Sequence, residues 1–262
     1  MSCLNAEKLC FSYDGKSVIE DITFTVNTGE TWAVVGRNGV GKSTLVKCLC
    51  GLLSSVKGNV SIDGIDIAKM PPKELAKKIA YVPQGTNRPA PPFTVREYVG
   101  MALFPYNTGF MGRLSIDSKK CVDDALSLTD AHNIADRVMN TLSGGEFQIA
   151  LIAGAVAQSA PFLLLDEPTT HLDPFHKENI RQVIERVHKE RGTAVITVTH
   201  DVNFALSTHK NILAIINGKI FFNGTRDEFC INAVDNLEKI FSIRFSALDI
   251  PGDVDKKVYF CE

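Results

Sequence analysis

Residues 36–43, Gly-Arg-Asn-Gly-Val-Gly-Lys-Ser, restrict the possible folds of this chain more than any other stretch. Ahead of them Trp32-Ala33-Val34-Val35 is a continuous apolar run of strand length, and after them Ser43-Thr44-Leu45-Val46 restarts the apolar pattern at helical spacing. A buried strand must therefore turn directly into a helix, and the turn has the spacing G-x-x-x-x-G-K-[ST] of a phosphate loop. Glycines at 36, 39 and 41 let consecutive backbone amides face one anion, where side chains would block the approach. Lys42 adds a charge that reaches terminal phosphates, Ser43 offers a hydroxyl to Mg²⁺, and the helix starting there directs its positive end at the anion. A dinucleotide fingerprint fails, because the third glycine of G-x-G-x-x-G would fall at Thr44. A ligand-free glycine-rich turn is the competing reading.

With 262 residues, 45% hydrophobic and 22% charged, the chain can bury a sizeable core as one large domain or two small ones. Its net charge of −2 and pI near 6.3 give no global basic field, so neither nucleic acid nor an anionic membrane surface is an expected partner. Seven cysteines, Cys3, Cys10, Cys48, Cys50, Cys121, Cys230 and Cys261, are odd in number, lie among apolar neighbours and form no C-x-x-C. They read as reduced core thiols in a reducing compartment. The opening residues MSCLNAEKLCFSY lack a basic stretch followed by an apolar one, so no export is expected. The longest apolar run, Ile149 to Ala157, has about half the ~20 residues that span a bilayer. Any membrane role would come through a partner.

Leu9-Cys10-Phe11 and the alternating Ile22, Phe24 and Val26, bounded by the turns at Tyr13-Asp14-Gly15 and Asn27-Thr28-Gly29, predict antiparallel strands leading into the strand of the phosphate loop. Tyr13 has two readings, a packed strand end or a platform for a nucleotide base. Beyond the first helix, 58–64 predicts a strand and tight turn, Pro72 to Lys78 a short helix with proline near its first position, and Ile79 to Val82 a third buried strand. That strand ends in Pro83-Gln84-Gly85-Thr86 and a proline-rich stretch. From about 93 to 140 the pattern is helical without strands, with Thr94 as one cap and Asp117 before a helix through Leu128. This reads as a helical insertion hinged near Gln84, with an irregular loop at 109–113.

Thr141-Leu142-Ser143-Gly144-Gly145-Glu146 opens a further helix, through Gln158. Two glycines and a serine at a helix start form a second backbone-amide anion site, or simply a small-residue cap. Pro161 to Pro168 then reads as a buried strand ending in the carboxylates Asp166 and Glu167. Left unpaired there, they would cost several kcal/mol, so a cation or ordered water is expected at the strand end. Asp166 is the natural partner of a Mg²⁺ held by Ser43. Glu167 points differently and is suited to deprotonate a water attacking a γ-phosphate. The turn Thr169 to Pro174 precedes a charged helix over 175–191, and 193–199 is another buried strand with His200-Asp201 at its end. His200 reads as a satisfied polar residue beside a helix cap, unless its strand adjoins that of Glu167. Strands at 212–216 and 219–222 flank the hairpin signal Asn217-Gly218, a helix runs from Thr225 to about 241, and residues 245–249 and 258–260 predict a terminal hairpin.

Taken in order, the loop at 36–43, Gln84, LSGGE at 142–146, Asp166-Glu167, Leu172-Asp173 and His200 resemble the ATPase subunit of ATP-binding cassette (ABC) transporters over roughly residues 7–225. The resemblance implies an α/β fold, a P-loop NTPase of ABC type with a mixed central sheet, an antiparallel β subdomain and an inserted helical subdomain. The core would comprise about 1–84 and 160–225, the helical subdomain 85–159, and a short helix and hairpin 226–262. It implies that Tyr13 stacks on adenine, and that Gly36, Arg37, Asn38, Gly39, Val40, Gly41, Lys42, Ser43 and Thr44 hold the phosphates of ATP. Ser43, Gln84 and Asp166 would surround Mg²⁺ and its waters. Glu167 would be the general base, His200 would contact the γ-phosphate, and Asp173 would couple two sites. Leu142, Ser143, Gly144, Gly145 and Glu146 would act on the nucleotide of a second copy in a head-to-tail dimer.

Val95 to Val99, Leu103 to Tyr106, the Thr-Thr-His-Leu-Asp turn and Phe241-Ser242-Ile243 are similar to importers of iron-siderophore, haem or cobalamin. There the ATPase dimer sits at the cytoplasmic membrane face beneath two permeases, fed by a substrate-binding protein. Ile149 and Gly154 depart from the arginines usual in the family. A mechanochemical ATPase of DNA repair would need a long insertion between loop and signature, for which ~100 residues leave no room, and a ribosome-associated protein would normally carry two cassettes.

Overall fold

The computed structural model describes residues 1–54, 56–85, 92–106, 116–250 and 253–262. The irregular loop expected at 109–113 lies outside the described residues.

Strands β1 (Cys3–Tyr13) and β2 (Lys16–Asn27) form a long hairpin, joined by β4 (Lys57–Ile62) and β5 (Ile65–Asp66) into an antiparallel sheet of order β2-β1-β4-β5. The first two strands are much longer than the apolar alternation alone predicts. The pairing shifts register between Ala6 and Leu9, and Lys8 and Asp21 have φ of 49° and 51°, so bulges interrupt the period of two. Gly58 faces this bulge: a Cβ there would overlap the carbonyls of Glu7 and Lys8.

The second sheet has the order β10-β9-β3-β8-β7-β6, built from β3 (Thr31–Val35), β6 (Ile79–Val82), β7 (Phe162–Asp166), β8 (Ala194–Thr199), β9 (Asn211–Ile216) and β10 (Lys219–Thr225). All neighbours are parallel except the β9–β10 hairpin. Every residue of β3, β7 and β8 is buried, as expected of a sheet covered on both faces. Helix α1 (Lys42–Leu49) shares a core with the antiparallel sheet through Leu45, Leu49, Ile22 and Ile62. The short α2 (Pro72–Ala76) starts on a proline as predicted.

Helices α3 (Val95–Met101), α4 (Ile116–Leu128) and α5 (Gly144–Ala157) enclose a separate apolar cluster with Val99, Leu126 and Ile152, which continues onto α6 (Pro174–Arg191) through Ile180 and Val187. Thr94 caps α3 in a reciprocal capping box with Glu97. A single antiparallel bridge between Thr94 and Val138 is an exception to the all-helical pattern expected for 93–140.

The third cluster lies beneath α7 (Val202–Thr208) and the C-terminal segment. The continuous helix expected from Thr225 to about 241 is two helices, α8 (Arg226–Ile231) and α9 (Ala233–Phe241). Asn232 leaves the helical region at φ −126°, ψ 41°, and the Asn236 amide donates to the Phe229 carbonyl at 3.0 Å, satisfying an acceptor near the break. Strands β11 (Phe245–Ile250) and β12 (Asp253–Cys261) form the predicted terminal hairpin. The expectation of core thiols holds for Cys48 and Cys50, whose pKa values burial pushes up, that of Cys48 to about 12. It does not hold for Cys230 and Cys261, which are exposed on this C-terminal layer.

Candidate functional site

The site lies at the carboxyl ends of β3, β7 and β8, adjacent parallel strands that bring three distant sequence motifs together. β3 stops at Val35, and the loop turns through Gly39 (φ 82°) and Gly41 (φ 104°) into α1. A side chain at Gly36 would overlap the Ile215 carbonyl, and one at Gly41 the Val18 carbonyl and the Ile19 side chain. These two glycines are therefore required by packing as well as by conformation.

Lys42 is buried, and its ammonium donates to the carbonyls of Gly36 at 2.8 Å and Arg37 at 3.0 Å. Its Nζ is also 3.8 Å from Glu167 Oε1. Burial lowers the lysine pKa, opposed by the charges of Glu167 and Asp166. Sequence reasoning assigned Lys42 to terminal phosphates and missed these contacts with the carbonyls of its own loop.

Asp166 ends β7 and Glu167 follows it, and side chains of the protein meet both buried carboxylates. Ser43 Oγ donates to Asp166 Oδ1 at 2.9 Å, and the Tyr81 hydroxyl donates to Oδ2 at 3.4 Å. Burial still holds the Asp166 carboxyl above the usual carboxylate range, opposed by the Ser43 hydrogen bond. Ser43 and Asp166 thus form a pair of hard oxygen donors at a buried strand end, a set that suits Mg²⁺. Glu167 has φ 50°, a left-handed conformation rare for a non-glycine residue, and its backbone N–H donates to Val198 O at 2.9 Å. The twist turns its side chain away from Asp166 toward Thr170 Oγ1 at 3.1 Å and His200 Nδ1 at 2.8 Å.

β8 adjoins β7 with Asp166 in register with Val198, so the strand that leads to Glu167 does neighbour the one that leads to His200. Behind it Asp201 caps α7 through the Phe204 N–H and pairs with Lys177 at 2.7 Å. Gln84 stands exposed two residues beyond β6, with no hydrogen bond to Ser43 or Asp166. Tyr13 is 45% exposed and packs edge-on against Phe11 at 4.8 Å, an arrangement compatible with both of its readings.

The LSGGE residues are not part of this cluster. Ser143 caps α5, accepting from the Glu146 N–H at 3.3 Å while Glu146 accepts from the Ser143 N–H at 2.8 Å. Leu142 is half-buried, Gly144 is open, and no hydrogen bond or ion pair links Leu142–Glu146 to the loop, Asp166, Glu167 or His200. Asp173 caps α6 through the His176 N–H at 2.9 Å. Sequence reasoning missed His176 itself; the spacing Asp-x-x-His at a helix start is the signal that could have identified it.

The sequence model described as ABC transporter matches residues 19–170. The chain is 36% identical over 243 residues to the iron(3+)-hydroxamate import ATP-binding protein FhuC of Bacillus subtilis (strain 168), covering 93% of this chain and 89% of that one. It is 33% identical to the ferric enterobactin transport ATP-binding protein FepC of Escherichia coli (strain K12), with coverages of 95% and 90%. Among solved structures it superposes with a TM-score of 0.73 and 27% identity on the dimeric post-hydrolysis ATP-binding cassette MJ0796 bound to ADP and Pi, covering 85% of this chain and 98% of that one. No described helix is long and apolar enough to cross a membrane. Loop, strand-end carboxylates, cap and family agree: the chain belongs to the ABC transporter family, as an ATP-hydrolysing subunit.

Proposed function

We propose that this subunit binds ATP with Mg²⁺ at a head-to-tail dimer interface and drives permeases importing an iron chelate of the siderophore type. The carrying observation is the split of two anion-binding helix starts, α1 and α5, onto separate parts of one chain, so that each needs a partner to complete it. The loop Gly36 to Thr44 holds the phosphates of one ATP, and Ser143 and Gly145 of a second copy close over them. Ser43, Asp166 and, in a closed dimer, Gln84 would hold Mg²⁺, which would neutralise charge on the phosphates. Glu167 takes the proton of the attacking water, His200 positions both Glu167 and the γ-phosphate, and Asp173 carries the state of one site to the other. Tyr13 stacks on adenine. The chelate class is supported by FhuC and FepC, whose names specify ferric hydroxamate and ferric enterobactin. A substrate-binding protein would deliver the chelate to the permease.

In the helical part, Phe93, Met101, Phe104 and Tyr106 are 37%, 47%, 76% and 42% exposed. These exposed apolar side chains of the helical part are the ones offered to the permease, and through them the subunit is held at the membrane. Detergent extraction of the tagged chain should recover a polytopic membrane protein at two copies per two subunits, in a complex that takes up ferric hydroxamate or catecholate chelates. Phe104→Asp should abolish that recovery while leaving ATP hydrolysis by the isolated subunit within about twofold, since exposed positions change stability little. Recovery with DNA or ribosomes instead would overturn the reading.

A further inference from the structure

Asp173 uses both carboxylate oxygens on one residue: Oδ1 accepts from the His176 N–H at 2.9 Å, and Oδ2 meets the His176 Nδ1 at 2.7 Å. An ordinary aspartate cap spends one oxygen on a first-turn amide. Here the second oxygen fixes the orientation of the imidazole, and Phe175 packs edge-on against it at 5.4 Å. The ring so held lies directly over Gly145. A Cβ built on Gly145 would overlap the imidazole, whereas one on Gly144 would meet nothing within 4 Å. Of the two signature glycines, only the second is therefore committed to a contact within its own chain.

The contact joins two places that the proposed dimer assigns to different ATP molecules. Gly145 belongs to the helix start facing the partner's nucleotide, and Asp173 ends the turn that begins at Glu167 beside the chain's own. That turn is tied together: Thr170 Oγ1 donates to Glu167 Oε2 at 3.1 Å, the Thr170 N–H to Glu167 O at 3.3 Å, and the Leu172 N–H to Thr169 O at 3.3 Å. Hydrogen bonds thus hold Thr170 to Glu167 and Leu172 to Thr169 within one short turn, and Asp173, the next residue in the chain, holds the His176 ring against Gly145.

We propose that His176 is a positioning residue that holds the signature turn at Gly145 in register with the Glu167–Asp173 turn, so that each chain presents its signature to the partner only in step with its own site. The inference rests on the composite-site reading. It gives Gly145 a reason to lack a side chain that is separate from any approach of nucleotide, since its Cβ direction is filled by His176.

The test uses the full chain in an E167Q background, following ATP binding by the monomer and ATP-driven dimerisation by sedimentation. His176→Ala is expected to leave monomer ATP affinity within about twofold and to raise the ATP concentration for half-dimerisation about tenfold or more, a loss on the scale of one coupled contact. Gly145→Ala alone should abolish dimerisation. Adding His176→Asn, which keeps a donor for Asp173 but removes the ring, should restore it to within about tenfold of the parent. Parental dimerisation by His176→Ala, an equal loss of monomer ATP binding, or no recovery in the Gly145→Ala/His176→Asn pair would each overturn the role of His176. A parent chain that stays monomeric in ATP would instead remove the composite-site reading, and this inference with it.

Discussion

Glu167→Gln lowers steady-state ATP hydrolysis by about 10²–10⁴-fold, the typical loss on removing a general base, while ATP binding survives and ATP-bound dimer accumulates. The substitution is nearly isosteric, and the amide oxygen can still accept from Thr170 Oγ1 and from the ring of His200, which lie at 3.1 Å and 2.8 Å from Glu167 Oε2. The left-handed backbone at 167 and the hydrogen bond to Val198 are untouched. What disappears is the basic site and one negative charge facing Lys42 at 3.8 Å. That charge also faces the place where a polyphosphate is expected, so its removal should hold or tighten ATP binding as turnover falls. Phosphate release and sedimentation on the same samples separate the two effects. Hydrolysis at the wild-type rate would remove Glu167 from the role of base.

The second large effect is on stability. His209 is wholly buried between α7 and β8, its Nδ1 3.3 Å from the Ala205 carbonyl and its Nε2 2.9 Å from Thr197 Oγ1. A carbonyl only accepts, so Nδ1 carries the proton and Nε2 accepts from the threonine hydroxyl. A second proton would turn that acceptor into a donor inside the central sheet. Burial accordingly pushes the His209 pKa down from 6.5 to about 4, with the Ala205 hydrogen bond opposing. Above pH 6.5 neither folded nor unfolded chain carries the extra proton. Between about 6.5 and 4 the unfolded chain binds a proton that the folded one refuses, so stability falls as the pH falls through that window, by about 3 kcal/mol at its lower end. Urea unfolding at several pH values should show this slope in the wild type and its loss in His209→Gln. Equal slopes in the two proteins would contradict the assignment.

What the sequence made legible follows from how local each determinant is. The loop at 36–43 was legible because its glycine, lysine and serine spacing is contiguous, although the packing that excludes a side chain at Gly36 and Gly41 comes from Ile215, Val18 and Ile19 on other strands. Asp166 and Glu167 were legible as a pair because a buried apolar strand ending in two acids needs compensation. That their compensation comes from Ser43, Tyr81, Thr170, Lys42 and His200 depends on which strands are neighbours, and the order β3-β8-β7 is carried by no short pattern. The left-handed turn at Glu167, on a residue that disfavours it, is imposed by tertiary context. The bulges at Lys8 and Asp21 hid most of β1 and β2 because period-two alternation fails wherever the register shifts. The break at Asn232 was missed because its compensation comes from Asn236, one turn later. The ring of His176 over Gly145 joins residues thirty-one positions apart on two helices, beyond the reach of any spacing rule.

The composite site is tested most directly by complementation between two inactive chains. Lys42→Ala removes the buried ammonium, a charge-assisted contact of about 1.5–3 kcal/mol, and leaves the signature intact. Ser143→Arg leaves the loop intact and fills the start of α5. Neither chain should hydrolyse ATP alone. Mixed, they can form a head-to-tail dimer with one intact site, the loop from the Ser143→Arg chain and the signature from the Lys42→Ala chain. Hydrolysis that returns on mixing and rises with the concentration of either partner is the predicted result; a mixture as inactive as its components would contradict a site shared between two chains.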